Sequence, residues 1–170
     1  MTKIKMVIVH DLMQKDYIYY RTEEPGSHFH PDFNPDLTPR EMLQLGVFGG
    51  KYMTDCLQEF PDDWFQQARL CHEFHDPALN CFKVNASSSL QTWRQKNWIR
   101  REDPRGWFQW YCRYYMGRRS PDDEWQIARW KAMKRHLAQF LNSPHLQGDW
   151  HFHPRQRQAL LHWAYDTRFL

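Results

Sequence analysis

One segment of the sequence restricts the fold more than any other: residues 103–119, which read DPRGWFQWYCRYYMGRR. Placed on a helix, this segment is apolar on almost every side, because only Arg105, Gln109 and Arg113 interrupt the apolar surface. A helix that is apolar on most sides is normally buried within its domain. The segment therefore predicts a central aromatic helix around which the rest of the chain packs.

The composition predicts one folded domain over residues 1–170. Of the 170 residues, 41% are hydrophobic and 16% are aromatic, which is too much apolar surface for a disordered chain. The net charge of only +3 does not indicate a uniformly basic nucleic-acid binder. The chain lacks the apolar run of roughly 20 residues that a membrane span needs, and its cysteines form no CxxC pair, which indicates reduced thiols. We expect no membrane partner and an intracellular, cytoplasmic location, or the nucleoid or nucleus if the chain binds nucleic acid.

The pattern of turn and capping residues predicts a mainly α (α+β) fold. Residues 1–22 place β-branched and aromatic residues on both sides of a polar turn, which predicts a small N-terminal β-hairpin. Residues 23–37 contain three prolines and are expected to form an ordered loop. Residues 38–170 predict a helical body of about five or six helices, the longest ending near residue 141. The expected helix starts are Thr38-Pro39, Pro61, Ser88, Asp103-Pro104, Ser120-Pro121 and Pro154, and the expected end of the central helix is Gly117.

Three polar residues on the central helix form one stripe, because they are spaced by four: Arg105, Gln109 and Arg113. In one interpretation, the two arginines pair with acidic side chains of the same chain, such as Asp76, Asp103, Asp122 or Asp123, and the aromatic residues are core. In the other, the stripe lines a pocket for a phosphate or a nucleic-acid backbone, together with Arg118 and Arg119. A buried guanidinium needs an anion or water, and either interpretation provides one.

Two neighbouring segments extend the second interpretation. Residues 91–101 alternate basic side chains with two tryptophans, which offers charge for phosphates and flat rings for bases. Residues 85–89 contain three serines, which either cap a helix or form an anion site. The predicted ligand or phosphate contacts are Arg105, Gln109, Arg113, Arg118, Arg119, Arg94, Lys51 and Asn85, and the predicted base-stacking side chains are Trp98 and Trp107.

Residues 46–51, which we call the glycine segment, do not match a phosphate-binding loop, because the G-x-x-x-x-G-K-[ST] spacing is missing. We expect the glycines to permit close approach of a helix, or to let Lys51 and Tyr52 reach a cleft. No cofactor is predicted and no catalytic residue stands out. A weaker alternative is a zinc site without the usual ligand spacing, formed by Cys71, His72, His75 and Cys81.

Three functions are compatible with this pattern, and they differ in whether the chain is an enzyme. The first, which the sequence favours narrowly, is a nucleic-acid-binding or nucleic-acid-modifying domain with an Arg/Trp-rich site. The second is a small-molecule enzyme that binds an anionic or phosphorylated ligand between the glycine segment and the central helix. The third is an interaction or assembly subunit with exposed tryptophans. The second function requires six polar side chains to converge on one concave site: Lys51, Asp55, Asn85, Arg105, Gln109 and Arg113.

Overall fold

The computed structural model describes residues 4–144 and 146–170. Residues 1–3 of the predicted hairpin and residue 145 of the predicted helical body lie outside the described residues. The hairpin itself is confirmed: strand β1 (Lys5–Val9) pairs antiparallel with strand β2 (Tyr17–Arg21). Val9 and Tyr19 point into the core. The outer face of the hairpin is exposed and apolar, and consists of Met6, Ile8, Ile18 and Tyr20.

The rest of the described chain is mostly helical, which confirms the predicted mainly α class with a small hairpin. The α-helices are α1 (Pro39–Gln44), α2 (Leu90–Gln95), α3 (Trp107–Tyr115), α4 (Asp123–Ala132), α5 (Lys134–Leu141) and α6 (Pro154–Leu161). Short 3₁₀ helices cover Val47–Gly50, Leu57–Glu59, Asp62–Trp64 and Pro77–Leu79. Because the helices are short, loops supply much of the surface around the candidate site.

Several predicted helix boundaries are confirmed by hydrogen bonds. The Thr38 hydroxyl accepts from the Glu41 N–H at 3.3 Å, and the Glu41 carboxylate accepts from the Thr38 N–H at 2.7 Å, so a capping box precedes α1. Gly117 follows the last residues of α3 with a φ of 99°, a conformation that favours glycine. Helix α6 begins at Pro154. Local sequence therefore determines these three boundaries.

The predicted start of α3 is wrong. The helix begins at Trp107, with Gly106 as its N-cap, rather than at Asp103. The Asp103 carboxylate does not cap a helix, because it binds Arg113 at 3.1 Å and Arg118 at 2.6 Å. Tertiary ion pairing thus replaces the local capping role that the sequence suggested.

Three other helix predictions differ from the structure. The long helix expected up to residue 141 is divided at Met133, whose N–H donates to the Trp130 carbonyl at 3.1 Å in a tighter turn, and α5 then packs on α6. The helix expected from Pro61 is a single 3₁₀ turn. Ser89, one residue after the expected cap, caps α2 by accepting from the Thr92 N–H at 3.2 Å.

Helix α3 is buried along most of its length, from Trp107 to Tyr114. The ring of Phe33, from the loop of residues 23–37, lies against it in edge-on geometry. The ring centres within 6.4 Å of Phe33 include those of Trp107, Trp110, Tyr111 and Tyr114. Edge-to-face contacts of this kind stabilise the fold by more than the burial of apolar surface area alone. In residues 4–144 and 146–170, no helix is long and apolar enough to cross a membrane.

Candidate functional site

A cavity of about 660 Å³, which we call the cleft, lies between the glycine segment and the loop before α2. Arg105, just before α3, also lines it. The six polar side chains expected to converge for a small-molecule site divide into two groups. Those that line the cleft are Lys51, Asp55, Asn85 and Arg105, whereas Gln109 and Arg113 lie elsewhere. The cleft therefore brings together most of that set.

The glycine segment forms one wall of the cleft and packs against a neighbouring loop. Gly49 has a φ of 64°, and a Cβ atom there would lie 2.4 Å from the His75 ring. A Cβ atom on Gly50 would lie 2.7 Å from the Arg69 carbonyl oxygen. Gly49 and Gly50 thus permit close approach of the loop of residues 69–76, Gly46 permits close approach of the 3₁₀ helix Pro77–Leu79, and Lys51 lines the cleft.

Arg105 is held by two carboxylates beside the cleft. Its side chain is 3% exposed, and its Nε and Nη2 donate to the two Asp55 oxygens at 3.0 and 2.8 Å. Nη2 also lies 3.2 Å from Asp11. Burial acts to lower the pKa of Arg105, but the Asp55 hydrogen bonds and neighbouring negative groups raise it overall. The bidentate pair fixes Asp55 in place, and the single positive charge of Arg105 is shared between Asp55 and Asp11.

Lys51 is the exposed cation of the cleft. Its Nζ donates to the Glu73 carbonyl oxygen at 2.7 Å, and no carboxylate pairs with it among the described residues. The hydroxyls of Ser87 and Ser88 also line the cleft and form no hydrogen bond within the described chain. Asn85 accepts from the Ser87 N–H at 3.3 Å, which shapes the loop locally.

A second cavity, which we call the aromatic cavity, has a volume of about 160 Å³. Its aromatic walls are Phe48, Tyr52, Trp93, Trp98, Trp107 and His162. Phe48 is in the left-handed region with a φ of 60°, which is uncommon for a bulky residue. Its ring stacks on Tyr52 at 4.6 Å and on His162 at 4.3 Å, and these contacts hold the strained residue in place.

His162, from the C-terminal end of α6, is a site residue that sequence reasoning missed. Burial lowers its pKa to about 3, so its ring is neutral at physiological pH. Nε2 accepts from the Phe48 N–H at 3.3 Å, a bond that only an unprotonated Nε2 can make. The proton therefore resides on Nδ1, which forms no hydrogen bond within the described chain. No spacing pattern links His162 to the glycine segment, because the two are joined only by tertiary packing.

Arg113 points away from the cleft and into the protein. Its Nε and Nη2 donate to Glu59 at 2.6 and 2.9 Å, and Nη2 also donates to the Gln14 side chain at 2.8 Å. Nη1 donates to the Glu102 carbonyl at 2.5 Å and to Asp103 at 3.1 Å. All five N–H donors of the guanidinium therefore bind acceptors of the chain.

The remaining predicted phosphate contacts are dispersed. Arg118 is buried and binds Asp103, and the Gln109 side chain accepts from the Arg105 N–H at 2.9 Å. Arg119 donates to four backbone carbonyls, those of residues 27, 28, 114 and 118. Arg94 is exposed on α2. These residues do not form one surface, and their assignment to a ligand stays a prediction.

The two predicted base-stacking tryptophans have different environments. Trp107 is 6% exposed and its Nε1 donates to the Gln126 carbonyl at 3.3 Å. Trp98 is 39% exposed, and Arg129 donates to its carbonyl at 3.0 Å. Both rings line the aromatic cavity, so the structure brings them to the same site. Arg129 also lines this cavity and is partly buried.

The described residues contain no cluster of three or more His, Cys, Asp or Glu side chains able to hold a metal ion. The residues of the alternative zinc site do not form such a cluster. Each cysteine of the chain is a free thiol. Comparison with models of protein families, with curated proteins and with solved structures finds no match for this chain.

Proposed function

We propose that the protein binds a small anionic molecule, such as a phosphorylated metabolite, in the cleft. The observation that carries this proposal is that Lys51, Asp55, Asn85 and Arg105 line a single cavity of about 660 Å³. Small-molecule sites usually measure about 300–1,000 Å³ and combine apolar walls with a few convergent polar groups. The cleft has that size and that composition.

The charges of the cleft favour an anion. Among the residues that line the cleft, the charges of Arg105 and Asp55 offset each other, although Arg105 also binds Asp11 outside the cleft, whereas Lys51 contacts only a neutral carbonyl. Lys51 therefore contributes an uncompensated positive charge, and the Ser87 and Ser88 hydroxyls can donate to oxygen atoms of the ligand.

The cleft also contains side chains that can exchange protons, namely Asp55, His72 and His75. The proposal therefore extends to an enzyme that acts on the bound molecule. Asp55 is positioned for such a role by Arg105, and its side chain remains 31% exposed to the cleft.

Calorimetric titration with inorganic phosphate and a panel of phosphorylated small molecules tests the proposal. We expect Lys51→Gln to weaken binding of the tightest member at least about tenfold, or about 1.4 kcal/mol, because it removes the uncompensated charge. Lys15→Gln changes an exposed lysine outside the cleft and should bind like the wild type. The proposal is overturned if no member of the panel binds, or if both variants lose the same affinity.

A second candidate is the nucleic-acid-binding function, which Trp98 favours. Its ring is exposed, Lys96 Nζ lies 4.7 Å from the ring centre, and Arg94 is exposed one turn earlier. We rank this candidate second because several residues of the predicted phosphate-and-base site are buried, namely Arg113, Arg118 and Trp107. Titration with a single-stranded oligonucleotide at two salt concentrations separates the candidates. Affinity that falls steeply with salt and is weakened by Trp98→Ala supports this function, and salt-independent affinity excludes it.

A further inference from the structure

The aromatic cavity is a direct neighbour of the cleft. Five residues line both cavities: Phe48, Tyr52, Ser87, Ser88 and Trp93. The two cavities therefore adjoin, as they must if one molecule is to place a group in each.

The aromatic cavity has the size of one aromatic ring. Its volume of about 160 Å³ is close to that of an engineered apolar cavity of about 150 Å³ that binds benzene. Its walls offer several ring faces, including those of Trp93 and Trp98. A planar ring of six atoms therefore fits both the volume and the lining.

The charge at this cavity excludes an ammonium group as its occupant. Aromatic cages commonly bind cations, but Arg129 already lines this one and has no carboxylate partner among the described residues. Its guanidinium lies 4.7 Å from the Trp125 ring centre and 5.3 Å from that of Trp163. A second cation would be repelled, whereas a neutral ring would not.

His162 supplies one polar contact within the apolar lining. It is 5% exposed, and its Nδ1–H has no acceptor in the described chain. Nδ1 is not fully buried, so its N–H can donate to a ligand atom that accepts a hydrogen bond. A ring carbonyl or a ring nitrogen can satisfy it.

We propose that the ligand of the cleft carries a single six-membered aromatic ring with a hydrogen-bond acceptor, which enters the aromatic cavity while its phosphate lies near Lys51. This inference rests on the proposed function. Pyrimidine nucleotides and phosphorylated aromatic metabolites share this chemistry.

Calorimetry with four probes tests the inference: phenyl phosphate, cyclohexyl phosphate, uridine 5′-monophosphate and ribose 5-phosphate. Phenyl phosphate should bind at least about tenfold more tightly than cyclohexyl phosphate, as expected for one stacked ring. Uridine 5′-monophosphate should bind at least about tenfold more tightly than ribose 5-phosphate for the same reason. If only uridine 5′-monophosphate binds more tightly than ribose 5-phosphate, the ligand is a nucleotide. If only phenyl phosphate binds more tightly than cyclohexyl phosphate, the ligand is a phosphorylated aromatic metabolite. If the members of each pair bind equally, the ring inference is overturned and the proposed function stands. If no probe binds, both fail.

A variant that fills the aromatic cavity provides an independent test. Ala159 lines that cavity and not the cleft, so Ala159→Leu should abolish the preference for the ring and leave ribose 5-phosphate affinity unchanged. Ala138→Leu, on the exposed surface of α5, is the matched control and should keep the preference. A preference that survives in Ala159→Leu would contradict the inference. If that variant does not fold, the four wild-type titrations still decide.

Discussion

The guanidinium group of Arg113 has five N–H donors, and the chain provides an acceptor for each. The spacing of Arg105, Gln109 and Arg113 predicted one stripe on the central helix, but Arg105 lies before α3, and spacing cannot identify the partners of these side chains. Gln14 and Glu59 come from distant segments, and only tertiary structure brings them to the helix. At the residue scale, the sequence therefore indicated which polar side chains interrupt the apolar surface, but not which partners they bind.

Replacing Arg113 tests its structural role. We expect Arg113→Met to lower the free energy of unfolding by about 3–5 kcal/mol, because the buried Glu59 carboxylate loses its cation and Asp103 keeps only Arg118. Urea denaturation measures the change. Arg94→Met, at an exposed position, should change stability by less than about 0.5 kcal/mol. A stable Arg113→Met variant that loses only ligand affinity would assign Arg113 to the site instead.

The buried imidazole of His162 predicts a pH dependence of stability. Its pKa is lowered from 6.5 to about 3, so below pH 6.5 the unfolded chain binds a proton that the folded protein does not. The contribution of the neutral His162 ring to the free energy of unfolding is complete above pH 6.5. It is lost progressively as the pH falls toward 3, at up to roughly 1.4 kcal/mol per pH unit. Denaturation of the wild type and of His162→Gln across this range measures it. A constant difference between the two proteins at every pH would contradict the expectation.

At the scale of elements, boundaries set by local chemistry were predictable and those set by tertiary contacts were not. The capping box of Thr38 and Glu41 needs only neighbouring residues, and α1 begins where it predicts. Asp103 has the same local pattern for a helix start, yet its carboxylate binds two arginines. The two cavities follow the same division, because the glycine segment and Lys51 beside the cleft were recognised from sequence, whereas His162 reaches the aromatic cavity from the end of α6.

Substitution in the glycine segment can separate the stability cost of a left-handed backbone from the stability cost of a steric clash. Gly49→Ala should destabilise the protein by more than the roughly 1–2 kcal/mol of a left-handed alanine, because its Cβ would also meet the His75 ring at 2.4 Å. Gly148 also has a positive φ, of 80°, but nothing lies within 4 Å of a Cβ atom there. Gly148→Ala is thus the matched control. Equal losses in thermal denaturation would show that packing at Gly49 is unimportant.

At the scale of the whole molecule, the hairpin is bonded to the helical body through buried polar contacts. The Tyr19 hydroxyl donates to Glu59 at 2.9 Å, and Arg21 donates to the Glu59 carbonyl at 3.0 Å. The Gln14 side chain accepts from Arg113 and donates to the Glu102 carbonyl at 3.0 Å. The hairpin, the 3₁₀ turn at Leu57–Glu59 and α3 therefore share one polar network.

Deletion of residues 1–22 tests this connection. We expect the shortened chain to lose cooperative unfolding, because Arg113 loses an acceptor and the aromatic core loses the cover of Tyr19. Circular dichroism during thermal denaturation measures the loss. A shortened chain that keeps a sharp transition would show that residues 23–170 fold without the hairpin.

The sequence distances within this network also bear on the order of folding. Gln14 and Glu59 lie 99 and 54 residues from Arg113. Closing loops of that length carries an entropy penalty that is offset only once the contacts form. We therefore expect Arg113 to contact Gln14 and Glu59 only after the rate-limiting step, so that substitutions at these residues accelerate unfolding and leave the folding rate almost unchanged.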